Sequence, residues 1–81
     1  MKPYTAVVGP GEDVVLPKFP THVTFEAELC VVIGEPCNEV EPDDAKDFIF
    51  GFTCGNDLTA KDVQNADGQW TRAKGFDTSS P

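Results

Sequence analysis

The run from Val23 to Ile33 constrains the fold of this chain more than any other part of the sequence. Every second residue from Val23 onward is apolar, and Thr24, Glu26 and Glu28 occupy the first intervening positions. Because successive side chains of a strand point to opposite faces, the alternation predicts a β-strand with one apolar face. The Gly-Glu-Pro that follows the run ends the strand.

The rest of the chain predicts shorter elements separated by turn residues. Thr59 is a suitable helix cap, and Pro42 with its acidic neighbours is typical of a first helical turn. Strands are predicted at residues 4–8, 14–16 and 48–54, and short helices at residues 40–45 and 59–64. The prediction is therefore one unit, mainly β with short helices (α+β), without internal repeats.

Net charge excludes several classes of partner. Fourteen Asp and Glu against six Lys and Arg give a formal charge of −8. Such a chain repels nucleic acid and anionic lipid surfaces, and no apolar run is long enough to cross a bilayer. We therefore expect no nucleic-acid partner and no membrane partner. The acidic excess suits cations, although a solvated acidic surface would give the same charge.

Cysteine usage indicates a reducing environment. Cys30, Cys37 and Cys54 are odd in number and lack the paired C-x-x-C spacing of structural zinc sites. Two of them lie in apolar runs, where a thiol behaves as a small hydrophobic group. The first residues show no signal or transit peptide pattern. The expected location is cytoplasmic or in the mitochondrial matrix.

Glu26 and Glu28 are the first candidates for chemistry. On one strand face they lie roughly 6–7 Å apart, and the same face continues into Cys30 and Val32, which predicts a strand covered on both sides. Partly buried like charges need a counter-charge, and a divalent cation supplies one. Asp57, at the end of the next strand, is placed to be a third ligand. The alternatives are a solvated strand face for the glutamates and an Asx turn for Asp57.

A set of three carboxylates predicts a hard cation. Mg²⁺ or Mn²⁺ bound by three carboxylates keeps up to three of about six octahedral positions for water or substrate oxygens. An open site of this kind suits Lewis-acid catalysis.

Ordered motifs along nearly the whole chain resemble the C-terminal domain of the fumarylacetoacetate hydrolase superfamily. The motifs are K-P at 2–3, G-x-G at 9–11, FEAELCVVIG at 25–34, GFTCGND at 51–57, LTAKDVQ at 58–64 and QWTRAKGFDTSSP at 69–81. The E-x-E motif alone is weak evidence, but the set in this order is specific.

The resemblance implies a partial mixed β-roll around Mg²⁺, Mn²⁺ or Ca²⁺. It also implies an enzyme that cleaves or rearranges carbon–carbon bonds of small 2-oxo or 1,3-diketo acid substrates, as in acylpyruvate hydrolysis or oxaloacetate decarboxylation. By position, the resemblance assigns metal ligation to Glu26, Glu28, Asp57 and Thr78, catalysis to Lys74, and substrate contact to Lys61 and Gln64. Read without it, Lys74 is a solvated surface lysine, and Lys61 and Gln64 share an exposed helical face.

Departures from the family pattern define the alternatives. Lys61 stands where the family usually has Arg. Lysine keeps the positive charge but lacks the two-pronged guanidinium that binds a carboxylate through two hydrogen bonds. The family's lid, with its His and Glu, would precede Lys2, and further strands would follow Pro81. Residues 1–81 are therefore expected to be the metal-binding half of a catalytic domain, with hydrolysis absent and weak decarboxylation retained. The alternatives are a non-catalytic metal-binding or oligomerisation module, with a homodimer as one outcome, and a small acidic interaction protein without metal.

Overall fold

The computed structural model describes all 81 residues. Two 3₁₀ turns, at Tyr4–Ala6 and Ala45–Phe48, accompany six regular elements. In chain order these are strands β1 (Val23–Thr24), β2 (Ala27–Ile33), β3 (Ile49–Asn56) and β4 (Thr59–Ala60), and helices α1 (Lys61–Ala66) and α2 (Thr71–Lys74). The predicted class, mainly β with short helices, is confirmed.

The four strands form two antiparallel pairs. Strand β2 pairs with β3, from Ala27 opposite Asn56 to Ile33 opposite Ile49, with one irregularity beside Ile33. Strand β1 pairs with β4. The prediction of one continuous strand from Val23 to Ile33 is therefore wrong, because two strands with different partners occupy this range.

The hydrogen bonds of the Glu26 backbone explain the interruption. At Glu26 the backbone N–H donates to the Asn56 side-chain oxygen at 3.1 Å, and the carbonyl accepts from the Asp57 N–H at 2.9 Å. The chain changes partner from β4 to β3 at this point, so the ladder cannot run through it.

Several shorter predictions were also wrong. Residues 4–8 contain a 3₁₀ turn, followed by an isolated bridge between Val7 and Ser80. Residues 14–16 form no strand. The predicted helix at 40–45 is wrong, because turn residues stand there and a 3₁₀ turn begins only at Ala45. Helix α1 begins at Lys61 and has Ala60 at its cap position, because Thr59 belongs to β4 and its hydroxyl turns toward Glu26.

A small core holds the helices against the β1–β4 pair. Its members are Leu58, Ala60, Val63, Ala73 and Phe76, with Val23 packed against them. The β2–β3 hairpin extends away from this core, and Leu29 is 73% exposed. The expectation that this strand is covered on both sides is not met within residues 1–81, because Leu29 and Val31 on one face and Glu28 and Val32 on the other are all exposed.

The shape is open for a chain of this mass. The accessible surface is 6233 Å², whereas a compact monomer of 8.8 kDa exposes about 4,800 Å². The radius of gyration is 14.9 Å against about 11.7 Å expected for a compact chain of this length. No helix combines the length and the apolar character needed to span a membrane.

Candidate metal centre

Three predicted ligands meet where β2 begins and β3 ends. Glu26 lies in the link between β1 and β2, Glu28 is the second residue of β2, and Asp57 directly follows β3. The antiparallel register places Glu28 opposite Gly55, so the start of one strand faces the end of the other. One carboxylate oxygen from each of the three residues lies within 4.8 Å of the other two.

Lys74 lies between two of these carboxylates. Its Nζ donates to Glu26 Oε2 at 2.9 Å and to Asp57 Oδ2 at 2.8 Å, and its side chain is only 11% exposed. The residue ends α2, whose Ala73 packs in the core, so the short helix carries the ammonium to the strand ends. The reading of Lys74 as a solvated lysine is therefore wrong.

The ammonium groups keep the carboxylates ionised. The hydrogen bond from Lys74 holds the pKa of Glu26 below its ordinary value. Burial alone would raise the pKa of Asp57, but Lys74 and Lys2 outweigh it and the pKa is lowered. Burial likewise opposes the charged form of Lys74, yet its two carboxylate partners raise its pKa.

Lys2 is a site residue that the sequence reasoning missed. Its Nζ lies 3.0 Å from Asp57 Oδ1 and donates to the carbonyl of Leu58 at 2.8 Å and to the carbonyl of Lys74. The ammonium also lies 5.6 Å from the centre of the Phe76 ring. No periodicity could reveal these contacts, because they join opposite ends of the chain; the K-P motif was the only signal.

Thr59 contacts the Glu26 carboxylate and the backbone of Asp57. Its buried hydroxyl lies 3.1 Å from Glu26 Oε1 and 3.0 Å from the Asp57 carbonyl, and can donate to either. Sequence reasoning assigned this residue to a helix cap, so its contact with Glu26 was also missed.

The segment after α2 fixes the position of Asp57 through the backbone. Asn56 and Leu58, its two neighbours, donate their N–H groups to the carbonyls of Pro81 and Ser79 at 2.9 and 3.1 Å. The buried Ser79 hydroxyl donates to the Lys74 carbonyl at 2.9 Å. One segment therefore positions both an acid and the lysine that neutralises it.

The remaining predicted site residues make no hydrogen bond or ion pair with the three acids. The Thr78 hydroxyl accepts from the Val15 N–H at 2.9 Å and lies 3.3 Å from the Val15 carbonyl, so the structure does not bring it to the three acids. Lys61 and Gln64 lie on α1, partly buried, and their side chains make no hydrogen bond or ion pair. Their roles in ligation and substrate contact stay predictions.

An open cavity of about 780 Å³ adjoins two of the three acids, Glu28 and Asp57. Its lining includes Glu28, Cys30 and Asp57 together with Lys2, Gly9 and Pro81. A small organic acid that entered this cavity would meet Glu28, Asp57 and Lys2 together.

The donor set fits a hard divalent cation. All three ligands offer oxygen, the donor that Mg²⁺, Mn²⁺ and Ca²⁺ prefer. Three carboxylates and the ammonium groups of Lys2 and Lys74 leave one net negative charge at the site. A divalent cation would convert this to one net positive charge, so the site could attract both the cation and an anionic ligand.

Comparison with known proteins agrees with this architecture. The family model for the fumarylacetoacetate (FAA) hydrolase C-terminal domain matches residues 1–81. The chain is 53% identical over 81 residues to a protein of Archaeoglobus fulgidus, a match that covers 100% of this chain and 32% of that protein. It is 43% identical over 82 residues to 2,4-didehydro-3-deoxy-L-rhamnonate hydrolase of Sphingomonas, covering 100% of this chain and 29% of that enzyme.

A solved structure gives the same result. The crystal structure of 2-hydroxyhepta-2,4-diene-1,7-dioate isomerase from Mycobacterium marinum matches with a TM-score of 0.94 and 54% identity, covering 99% of this chain and 32% of that one. The chain spans about a third of the length of the curated relatives it matches. With the family model matched from end to end and the fold shared, the chain belongs to the fumarylacetoacetate hydrolase family.

Proposed function

We propose that the protein acts on carbon–carbon bonds of 2-oxo or 1,3-diketo acids as a divalent-metal-dependent hydrolase or lyase, of the acylpyruvate hydrolase or oxaloacetate decarboxylase type. The observation that carries the proposal is the meeting of Glu26, Glu28 and Asp57 beside the ammonium group of Lys74. The named relatives, a hydrolase and an isomerase of sugar-derived or dienoic acids, support a substrate of this class.

The three carboxylates would hold the metal. Glu26 and Asp57 are partly buried and preorganised by hydrogen bonds, whereas Glu28 is exposed beside the cavity. A bound divalent cation supplies Lewis-acid polarisation of the oxo and carboxylate oxygens of a substrate. Magnesium is the first candidate, with Mn²⁺ and Ca²⁺ as the others.

Lys74 would stabilise negative charge in the reaction. Its ammonium now neutralises Glu26 and Asp57, and a cation that took over these oxygens would release it toward the substrate. A fixed positive charge beside a developing enolate is worth more at a partly buried position than in water. Lys74 is thus the catalytic residue of the proposal.

The test compares turnover by the wild-type protein and a Lys74→Met variant. Oxaloacetate and an acylpyruvate are supplied with Mg²⁺ or Mn²⁺, and pyruvate release is measured. We expect the variant to lose on the order of 10²- to 10³-fold in kcat, the usual effect of removing one electrostatic stabiliser.

Lys46→Met serves as the matched control, because Lys46 is exposed and forms no ion pair. Equal turnover by the Lys74→Met variant and the wild type would contradict the proposal. A wild-type protein that bound metal but turned over neither substrate would favour the second candidate.

The second candidate is a non-catalytic metal-binding or oligomerisation module. The exposed apolar side of the β2–β3 hairpin favours it, since Leu29 and Phe52 are 73% and 63% exposed. Contiguous exposed apolar surface of this kind is typical of interfaces.

A further inference from the structure

Lys2 is held more firmly than an ordinary site lysine. Its ammonium contacts three oxygens from two segments of the chain: Asp57 Oδ1, the Leu58 carbonyl and the Lys74 carbonyl. Two of the contacts are hydrogen bonds to backbone carbonyls, the third is an ion pair, and the side chain is 14% exposed. Leu58 belongs to the core, so its carbonyl cannot move away without disturbing that packing.

The two lysines at the site differ in what holds them. The ammonium of Lys74 contacts only the carboxylates of Glu26 and Asp57, which a cation could take over. The ammonium of Lys2 keeps two backbone carbonyls as partners whatever binds to the carboxylates. A cation entering the site would therefore displace Lys74 and leave Lys2 in place.

The two oxygens of Asp57 consequently have different environments. Oδ2 accepts a hydrogen bond from Lys74, whose ammonium also donates to Glu26. Oδ1 is completely buried and lies 3.0 Å from Lys2 Nζ without forming a well-oriented hydrogen bond. Only Oδ2 is free to become a metal ligand once Lys74 has moved.

We propose that Lys2 restricts Asp57 to ligation through one oxygen and thereby makes the site prefer Mg²⁺ or Mn²⁺ over Ca²⁺. The inference rests on the proposed metal dependence and goes beyond it to cation selectivity. Mg²⁺ takes six ligands at short, nearly octahedral distances, whereas Ca²⁺ takes six to eight and often binds a carboxylate through both oxygens. A site that denies Ca²⁺ the second oxygen of Asp57 disfavours the larger ion. Lys2 is a positioning residue in this account.

The test is the ratio of the Mg²⁺ and Ca²⁺ dissociation constants, measured by calorimetry on the wild-type protein and a Lys2→Met variant. Loss of one positive charge strengthens the binding of both divalent cations alike and leaves the ratio unchanged. General loosening of the site would also favour Ca²⁺, which accepts flexible geometry, so the infrared spectrum of the Ca²⁺-loaded variant must in addition show a two-oxygen aspartate band. Release of Oδ1 gives Ca²⁺ alone an extra ligand, so we expect the ratio to shift toward Ca²⁺ by about tenfold, the lower end of outer-shell effects on metal affinity.

Lys46→Met again serves as the control, since it removes the same charge from an exposed position. An unchanged ratio in a folded Lys2→Met variant would overturn the inference and leave the metal site standing. A wild-type protein that bound neither cation would instead overturn the proposed function, so the two failures are distinguishable.

An infrared measurement on the wild-type protein covers the case in which Lys2→Met does not fold. The difference spectrum between the Ca²⁺-loaded and metal-free protein separates one-oxygen from two-oxygen carboxylate ligation. With ¹³C-labelled aspartate, we expect no two-oxygen band from aspartate. The appearance of that band, and its loss in an Asp57→Asn variant, would overturn the inference.

Discussion

Asp62 is the residue whose ionisation the fold perturbs most clearly. Its Oδ2 accepts hydrogen bonds from both the backbone N–H and the hydroxyl of Thr21, each at 2.8 Å. These bonds, led by the one from the Thr21 backbone, lower its pKa from 3.8 to about 2. The contact holds the loop before β1 against helix α1, next to the core residue Val63.

Acid should therefore weaken the fold through Asp62. Because the folded carboxyl has the lower pKa, its contribution is complete above pH 3.8 and is lost as the pH falls toward about 2. Asp62→Asn keeps an oxygen for Thr21 but cannot titrate, so the free energy of unfolding should fall less steeply in this window. Urea unfolding of both proteins at several pH values checks this prediction. The same change of unfolding free energy with pH in both proteins would contradict it.

At the residue scale, local sequence patterns predicted some residues of the candidate site. Glu26 and Glu28 could be found because a strand's period of two places them on one face, and Asp57 because it follows the next strand. Lys74 required the family resemblance. Lys2 and Thr59 could not be assigned, since their contacts depend on how distant segments pack and not on local spacing.

The β2–β3 hairpin contains a close contact that is testable at the scale of the element. A Cβ added at Gly55 would lie 2.5 Å from Cys30 Sγ on the neighbouring strand, whereas one added at Gly51 would meet nothing within 4 Å. Gly55 thus makes room for the thiol beside Glu28. Both glycines lie in β3, so they form a matched pair.

Gly55→Ala should destabilise the protein and Gly51→Ala should not. Overpacking of this kind costs about 1–3 kcal/mol in the free energy of unfolding. Adding Cys30→Ala to Gly55→Ala should restore most of the loss, which a double-mutant cycle by thermal or urea unfolding measures. Equal effects of the two glycine substitutions, or no rescue, would show that the Gly55–Cys30 contact is not tight.

The helices and strands matched the local sequence patterns only where tertiary packing favoured the same structure. The hairpin strands were found because alternation and apolar runs persist over seven or eight residues. Residues 14–16 have strand-like composition but no neighbouring strand, and Val15 bonds to the Thr78 side chain instead. Thr59 has capping chemistry, yet its hydroxyl has partners within the site.

At the scale of the whole molecule, the exposed surface has a direct consequence. The accessible area exceeds that of a compact monomer by about 1,400 Å², more than one partner loses in a standard interface. One face of the hairpin concentrates apolar groups, because Leu29 and Val31 lie opposite Cys54 and Phe52 and share that face with Phe50. Aromatic and aliphatic side chains there are open to contact.

Residues 1–81 in isolation should therefore self-associate through this face. Each large apolar side chain removed from water contributes about 1.5–3 kcal/mol, so Leu29→Thr with Phe52→Thr should raise the dissociation constant at least tenfold. Tyr4→Thr, at another exposed site, should leave it unchanged. Sedimentation velocity over a concentration series measures this. A wild-type chain that stays monomeric throughout would contradict the expectation.

The central claim is that Glu26, Glu28 and Asp57 bind a divalent cation, and calorimetric titration with Mg²⁺ and Mn²⁺ tests it most directly. The wild-type protein is compared with a Glu26→Ala/Glu28→Ala variant and with a Glu35→Ala/Glu41→Ala control, which removes two exposed acids elsewhere. We predict binding by the wild type and the control, and none by the site variant. Undiminished binding by the folded site variant, or no binding by the folded wild type, would contradict the account.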